Sequence, residues 1–145
     1  MEINPTVLIL CGGKGERLKP LTNKTHKSLT KIGHKTILQH LIDFFVKKKL
    51  KKFIFTTGHK SNQIKNFLKK KNLNIEYEIV DSGDSSIIDR LKKVYEIKGV
   101  DTIICYGDTL ANIDIKKYFN FLKKNKNKII LTVYRPEIKF GIVGM

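Results

Sequence analysis

Two hydrophobic rhythms alternate along the chain. Short runs rich in β-branched and aromatic residues occupy positions 6–10, 53–57, 75–80, 102–106 and 129–134. Runs of this length and composition read as buried strands. Between them the apolar positions recur at helical spacing. Ile37, Leu38, Leu41, Ile42 and Phe45 form one such face, and Ile64, Phe67 and Leu68 a second. Ile87, Ile88, Leu91 and Val94 form a third, and Ile115, Tyr118, Phe119 and Leu122 a fourth. Strand and helix alternate through short connections, which predicts βαβ crossovers and an α/β fold with a mainly parallel sheet. No repeat, linker or low-complexity tail interrupts the pattern. A single domain over residues 1–145 is expected.

In an open parallel sheet, ligands bind beyond the carboxyl ends of the strands. Three of the predicted ends carry chemistry. Cys11-Gly12-Gly13-Lys14-Gly15-Glu16-Arg17-Leu18 follows the first strand, Asp81-Ser82-Gly83-Asp84-Ser85 the third, and Gly107-Asp108-Thr109 the fourth. Polar and glycine-rich segments thus converge on one edge of the sheet.

Charge and cysteine content change this picture little. The formal net charge is +16, from 29 basic and 13 acidic residues. That invites a nucleic-acid reading. However, only Arg17, Arg90 and Arg135 are arginines, and the lysines are scattered over predicted helix faces and loops. Base-reading surfaces favour arginine, and single-strand surfaces interleave aromatics with the basic groups. Lys47-Lys48-Lys49 and Lys69-Lys70-Lys71 fall at predicted helix ends, where cations suit the helix dipole. A solvated basic surface is therefore expected, with no nucleic-acid partner. Its field would still attract a polyanionic small molecule. Cys11 and Cys105 have no metal spacing and read as free thiols. No apolar run reaches the ~18–20 residues of a membrane span, and residues 7–10 are too short for a signal sequence. No membrane partner and a cytoplasmic location are expected.

The first loop supplies the most specific signal. Gly12, Gly13 and Gly15 let backbone N–H groups approach an anion without obstruction. Arg17 adds a forked donor suited to phosphate. A dinucleotide fingerprint needs a third glycine where Leu18 stands, and a P-loop needs Ser or Thr where Gly15 stands. Neither motif fits. Read alone, Arg17 is also compatible with a surface arginine, Lys27 with one lysine among many, Asp108 with a turn cap, and residues 83–85 with an ordinary turn.

The run Leu10-Cys11-Gly12-Gly13-Lys14-Gly15-Glu16-Arg17-Leu18-Lys19-Pro20-Leu21-Thr22 continues through Lys27, Leu29, Ile32-Gly33 and Ile37-Leu38. It resembles the signature of the sugar-phosphate nucleotidylyltransferase family: Gly-Gly, any residue, Gly, any residue, Arg-Leu, then Pro-Leu-Thr and Pro-Lys-Pro. Residues 57–60, 81–94, 106–108 and 114–115, with Arg135-Pro136 and Phe140-Gly141, lean toward the glucose-1-phosphate cytidylyltransferase branch.

The resemblance implies a Rossmann-like three-layer sandwich, the N-terminal part of the nucleotide-diphospho-sugar transferase fold. It implies transfer of a nucleotidyl group from a nucleoside triphosphate, with CTP favoured, to a sugar 1-phosphate, with glucose 1-phosphate favoured. Pyrophosphate leaves, in the service of nucleotide-sugar and polysaccharide biosynthesis. Leu10, Cys11, Gly12, Gly13, Lys14 and Gly15 would wrap the triphosphate and ribose. Gly107 would join them, and Gly83, Asp84 and Ser85 would lie by the base. Arg17 would neutralise the leaving pyrophosphate and Lys27 would contact the phosphates during transfer. Asp108 would hold Mg²⁺. Self-association is common in the family. A non-sugar phosphate acceptor, or a nucleotide-binding chain inactive on its own, remain alternatives.

Three departures stand out. The family's Pro-Lys-Pro is His26-Lys27-Ser28 here, so no proline fixes the backbone around the lysine. Ile87-Ile88-Asp89 replaces a glycine pair before Arg90. The family pattern also continues past the position of Met145, where a second metal-binding aspartate is expected. A chain ending there is expected to turn over weakly or not at all. His34, His40 and His59 show no ligand spacing, and no chemistry is assigned to His26.

Overall fold

The computed structural model describes residues 5–71, 73–98, 102–125 and 129–133. The chain divides into two compact units, Met1–Asn112 and Ile113–Met145.

In the first unit, β1 (Thr6–Cys11) leads through a looped segment to a small hairpin, β2 (Lys31–Ile32) and β3 (Lys35–Thr36). Helix α1 (Ile37–Lys47), β4 (Lys52–Thr57), α2 (Ser61–Lys70), β5 (Glu76–Asp81), α3 (Ile87–Lys98) and β6 (Thr102–Tyr106) follow. The four long strands form one sheet in the order β5-β4-β1-β6, and every pairing is parallel. The chain therefore steps outward from β1 to β4 and β5, then returns to lie on the other side of β1. The strand order reverses between β1 and β6, which marks the crevice where ligands bind in such sheets.

Alternation along the strands builds the layers. Val7, Ile9 and Cys11 point to one face and Leu8 and Leu10 to the other, and all five are buried. On the first face Phe53 and Phe55 stack 5.9 Å apart, and Phe45 of α1 meets Phe53 edge-on at 6.4 Å. On the second face Leu8, Leu10, Ile54 and Val80 cluster with Val94 of α3. Right-handed crossovers require this split, because α1 and α2 follow outward steps while α3 follows the return. The result is the expected Rossmann-like layering of helices on both sides of a parallel sheet.

The helices begin where their sequences supply caps. Thr36 Oγ1 accepts the Gln39 N–H at the start of α1. Ser86 Oγ accepts the Asp89 N–H at 3.1 Å and itself donates to Asp89 Oδ2 at 2.6 Å at the start of α3. Lysines occupy the last turns of α1 and α2, as their dipoles favour.

Two expectations need correction. Strands β5 and β6 are not buried like β1 and β4, since Tyr77, Ile104 and Tyr106 are exposed. Among the described residues each has one hydrogen-bonded neighbour and stands at an edge, so less of each is covered. The strand expected at 129–134 is absent over its described residues 129–133, where Ile129, Leu131 and Val133 stand exposed. β-propensity favours a strand only where a neighbour pairs with it, and no described strand does so here. Tyr134, Arg135-Pro136, Phe140-Gly141 and the strand read near Ile142 lie outside the described residues.

The described part of the second unit contains α4 (Ile115–Lys124). Asp114 caps it, with Oδ1 accepting the Lys117 N–H at 3.1 Å. Among the described residues no helix is long and apolar enough to cross a membrane.

Candidate functional site

Leu10 and Cys11 end β1 in full burial, and the chain then leaves the sheet through Gly12. From Gly13 to Gly15 the backbone is free of the sheet ladder. Among the described residues, the N–H groups of Gly13, Lys14 and Gly15 donate no hydrogen bond. Gly15 adopts the left-handed conformation, with φ 70°, and opens a short 3-10 turn at Glu16–Leu18. Thr22 fastens the loop from behind by donating Oγ1–H to the Gly15 carbonyl at 2.8 Å. Unpaired donors on a left-handed turn form a concavity suited to an anion.

Lys27 and Asp108 meet at this concavity. Asp108 follows β6 after Gly107, and Lys27 lies in a 3-10 turn, Lys27–Leu29. The Lys27 ammonium donates to Asp108 Oδ2 at 2.7 Å, with both side chains largely covered. The Lys27 Nζ also lies 3.3 Å from where a Cβ on Gly13 would stand. Gly107 is required here by close packing. A Cβ on it would stand 2.7 Å from both Cys11 Sγ and Ser28 Oγ, and 3.1 Å from the Leu10 carbonyl oxygen.

The turn bearing Lys27 is held by His26, whose imidazole is 1% exposed. Its Nδ1 accepts the Ser28 N–H at 3.1 Å, so the proton is on Nε2, which donates to the Cys11 carbonyl at 3.0 Å. Burial pushes its pKa down to about 4, against the opposing effect of the Cys11 carbonyl bond. The His26 N–H donates to Gln63 Oε1 at 2.7 Å, and Gln63 Nε2 donates to the Lys24 carbonyl at 2.7 Å. Lys60 donates to the Thr22 and Asn23 carbonyls. The first turn of α2 thus clamps the segment from Thr22 to His26.

The segment 83–85 reaches the first loop by two routes. Lys14 and Asp84 form an exposed ion pair at 2.7 Å, which raises the lysine pKa and lowers the carboxyl pKa. Arg90 forms the second link, and it is buried. Its guanidinium donates to the Gly83 carbonyl at 3.1 Å and to Ser85 Oγ at 3.3 Å. It lies where a side chain on residue 12 would be, because a Cβ on Gly12 would stand 1.4 Å from Arg90 Nη1. Asp81 anchors the base of this segment. It accepts from Lys65 at 2.8 Å, Ser61 at 2.6 Å and the Gly83 N–H at 3.2 Å. Those bonds, Lys65 first, hold its pKa at about 2.

The structure therefore brings together Leu10, Cys11, Gly12, Gly13, Lys14, Gly15, Lys27, Gly107 and Asp108, with Gly83, Asp84 and Ser85 beside them. Arg17 differs, since its side chain is exposed and makes no hydrogen bond or ion pair among the described residues. Cys11 and Cys105 are free thiols, and burial pushes both up to about 12. Neither is a nucleophile at neutral pH.

From the sequence, His26 offers at most a charge beside Lys27 at lower pH, which burial opposes, and Arg90 is only a branch marker. Burial gives both their roles, and no local pattern reports it. The lost prolines beside Lys27 were the available hint that something else must hold that turn.

Among the described residues, no three His, Cys, Asp or Glu side chains converge into a metal cluster. A single carboxylate such as Asp108, completed by substrate phosphates, is a donor set of the kind a magnesium ion takes. Asp108 Oδ1 makes no hydrogen bond among the described residues, while Oδ2 is held by Lys27.

The sequence matches the family described as nucleotidyl transferase over residues 6–145. It is 31% identical to glucose-1-phosphate cytidylyltransferase of Salmonella typhimurium, over 95% of this chain and 63% of that enzyme. It is 29% identical to D-glycero-alpha-D-manno-heptose 1-phosphate guanylyltransferase of Campylobacter jejuni, over 87% of this chain and 56% of that enzyme. Among solved structures, HddC from Yersinia pseudotuberculosis complexed with GMP-PN superposes with a TM-score of 0.74 at 23% identity, covering 81% of this chain and 54% of that one. The chain thus spans somewhat over half the length of each of these three relatives.

Proposed function

We propose, from the premise that this chain belongs to the nucleotidyl transferase family, that it carries a site for nucleotidyl transfer from a nucleoside triphosphate to a sugar 1-phosphate. CTP and glucose 1-phosphate are the favoured pair, on the strength of the Salmonella relative. The observation that carries the reading is the Lys27–Asp108 pair, set beside the undonated N–H groups of Gly13, Lys14 and Gly15 at the point where the strand order reverses.

The reaction asks little covalent chemistry of the protein. An oxygen of the sugar phosphate attacks the α-phosphorus, the new P–O bond forms, and the bond to the bridging oxygen breaks as pyrophosphate leaves. Catalysis then rests on alignment and on neutralising charge. In this reading the loop N–H groups of Gly13 to Gly15 bind triphosphate oxygens, and Lys27 meets the charge that grows on the α-phosphate. Arg17, whose guanidinium is uncommitted, swings onto the departing pyrophosphate. Asp108 would hold Mg²⁺, which when bound neutralises phosphate oxygens. Gly83, Asp84 and Ser85, with Gly107, border the nucleoside. The site works by position, and the buried Cys11 thiol takes no part in the chemistry.

Pyrophosphate release tests this. The protein is incubated with Mg²⁺ and each of CTP, UTP, GTP, ATP and dTTP against a panel of sugar 1-phosphates. Release with one pair, CTP and glucose 1-phosphate first, is the expected result, and at a low rate. Silence across the panel, with CTP still raising the melting temperature, would reduce this chain to nucleotide binding without transfer.

A further inference from the structure

We propose that His26 is the positioning residue for Lys27, a neutral imidazole clamp that aims the Lys27 ammonium at Asp108. The inference rests on the transfer reading for its consequence, but its geometry stands independently.

One residue fixes the turn at three points on three elements. The His26 N–H is held by Gln63 of α2, Nε2–H by the Cys11 carbonyl at the end of β1, and Nδ1 by the N–H of Ser28 within the turn. The two ring bonds bracket Lys27, because one ties the residue before it to the sheet and the other ties the residue after it to the same ring. With φ −62° and ψ 137°, His26 already has the extended backbone that a proline would impose. Hydrogen bonds here do the work of a rigid ring.

The clamp also requires a matching residue at 28. A proline there would have no N–H for Nδ1, and a buried imidazole nitrogen would be left unsatisfied. His26 and Ser28 are therefore one device. Charge around the ring keeps it neutral. Lys27 in its own turn, His59 in the connection after β4 and Lys60 at the cap of α2 all oppose protonation, and burial opposes it more. A protonated ring would lose the Nδ1 acceptor, release Ser28 and free the turn.

The test uses the full chain with His26→Ala, His26→Asn and Lys27→Ala, alone and combined. Asn keeps an acceptor at the Nδ1 position. With Mg²⁺, CTP and glucose 1-phosphate, His26→Ala should lower kcat roughly tenfold to a hundredfold, as small misplacements of an aligned group do. The KM for CTP should stay within about threefold, because the loop N–H groups are untouched. His26→Asn should recover part of the loss, and in the Lys27→Ala background His26→Asn should cost nothing further. An equal loss with and without Lys27, or an unchanged kcat, would overturn the clamp.

A second readout needs no turnover. The Lys27 ammonium, paired at 2.7 Å, should give a slowly exchanging ¹⁵N–¹H signal that is lost in Lys27→Ala and in both His26 variants, more completely in His26→Ala. Survival of that signal in folded His26→Ala would refute the clamp even in an inactive chain. Its loss without any wild-type turnover would sustain the clamp and sink the transfer reading instead.

Discussion

Lys27 and Asp108 are 81 positions apart in sequence, yet their charged atoms lie 2.7 Å apart. What joins them is a set of small and buried residues: Gly107 leaves room for Ser28, and His26 fixes the turn. The buried imidazole leaves a mark on stability. Its pKa in the fold is about 4 against an ordinary 6.5, so the unfolded chain takes up a proton in that interval and the folded chain does not. Its contribution is complete above pH 6.5 and is lost as pH falls toward 4, by roughly 3 kcal/mol at most. Asp81 acts in a lower window, full above its ordinary 3.8 and lost as pH falls toward about 2. Urea unfolding midpoints measured against pH should fall in these two stages, and His26→Asn should erase the upper one. A wild-type midpoint flat from pH 6.5 to 4 would contradict the burial of a neutral ring. At this scale the glycine loop was legible by residue type, whereas Lys27 and Asp108 stood out only through the resemblance to a family, because a lysine among many and an aspartate in a turn carry no signal of their own. His26 and Arg90 were not legible, since their meaning comes from being enclosed by segments distant in sequence.

Elements were easier to read than their surroundings. All four helices formed where the apolar spacing predicted them, because a helix carries its own hydrogen bonds and needs only one covered stripe. The face of α3 is corrected, however: Leu91 and Val94 pack on the sheet while Ile87 and Ile88 stand exposed. Strands depend on neighbours, and that dependence explains both strand corrections. Residues 102–106 alternate less cleanly in burial than their composition suggests, because among the described residues β6 pairs with β1 alone. Residues 129–133 have the composition of a strand and no pairing. Caps, by contrast, are local and testable. Ser86 satisfies the first turn of α3, the helix that delivers Arg90 beneath Gly12. Ser86→Ala should cost about 1 kcal/mol in unfolding free energy. Hydrogen exchange should quicken over residues 83–90 more than in α1. No change in either would show that α3 is held by Val94 and Leu91 alone.

The whole first unit follows from one topological fact. A chain that leaves β1 in one direction and returns on the other side opens a crevice at the carboxyl ends of β1 and β6. The glycine loop, Lys27 and Asp108 all lie there, and α2 and α3 brace the loops from behind through Gln63, Lys60 and Arg90. The net charge of +16 gives the chain a field that favours polyanions and weakens with salt. Alternating sequence rhythm was enough to predict the parallel sheet. The strand order was not, because each crossover could have packed on either side of β1.

The measurement that bears most directly on this account is calorimetric titration of CTP into the wild-type chain and Asp108→Asn, each with and without Mg²⁺. The account predicts wild-type binding that tightens with Mg²⁺, and an Asp108→Asn variant in which that metal-dependent gain falls by at least about tenfold. Equal affinity in all four titrations would contradict it, because the nucleotide would then be held somewhere other than the Lys27–Asp108 edge.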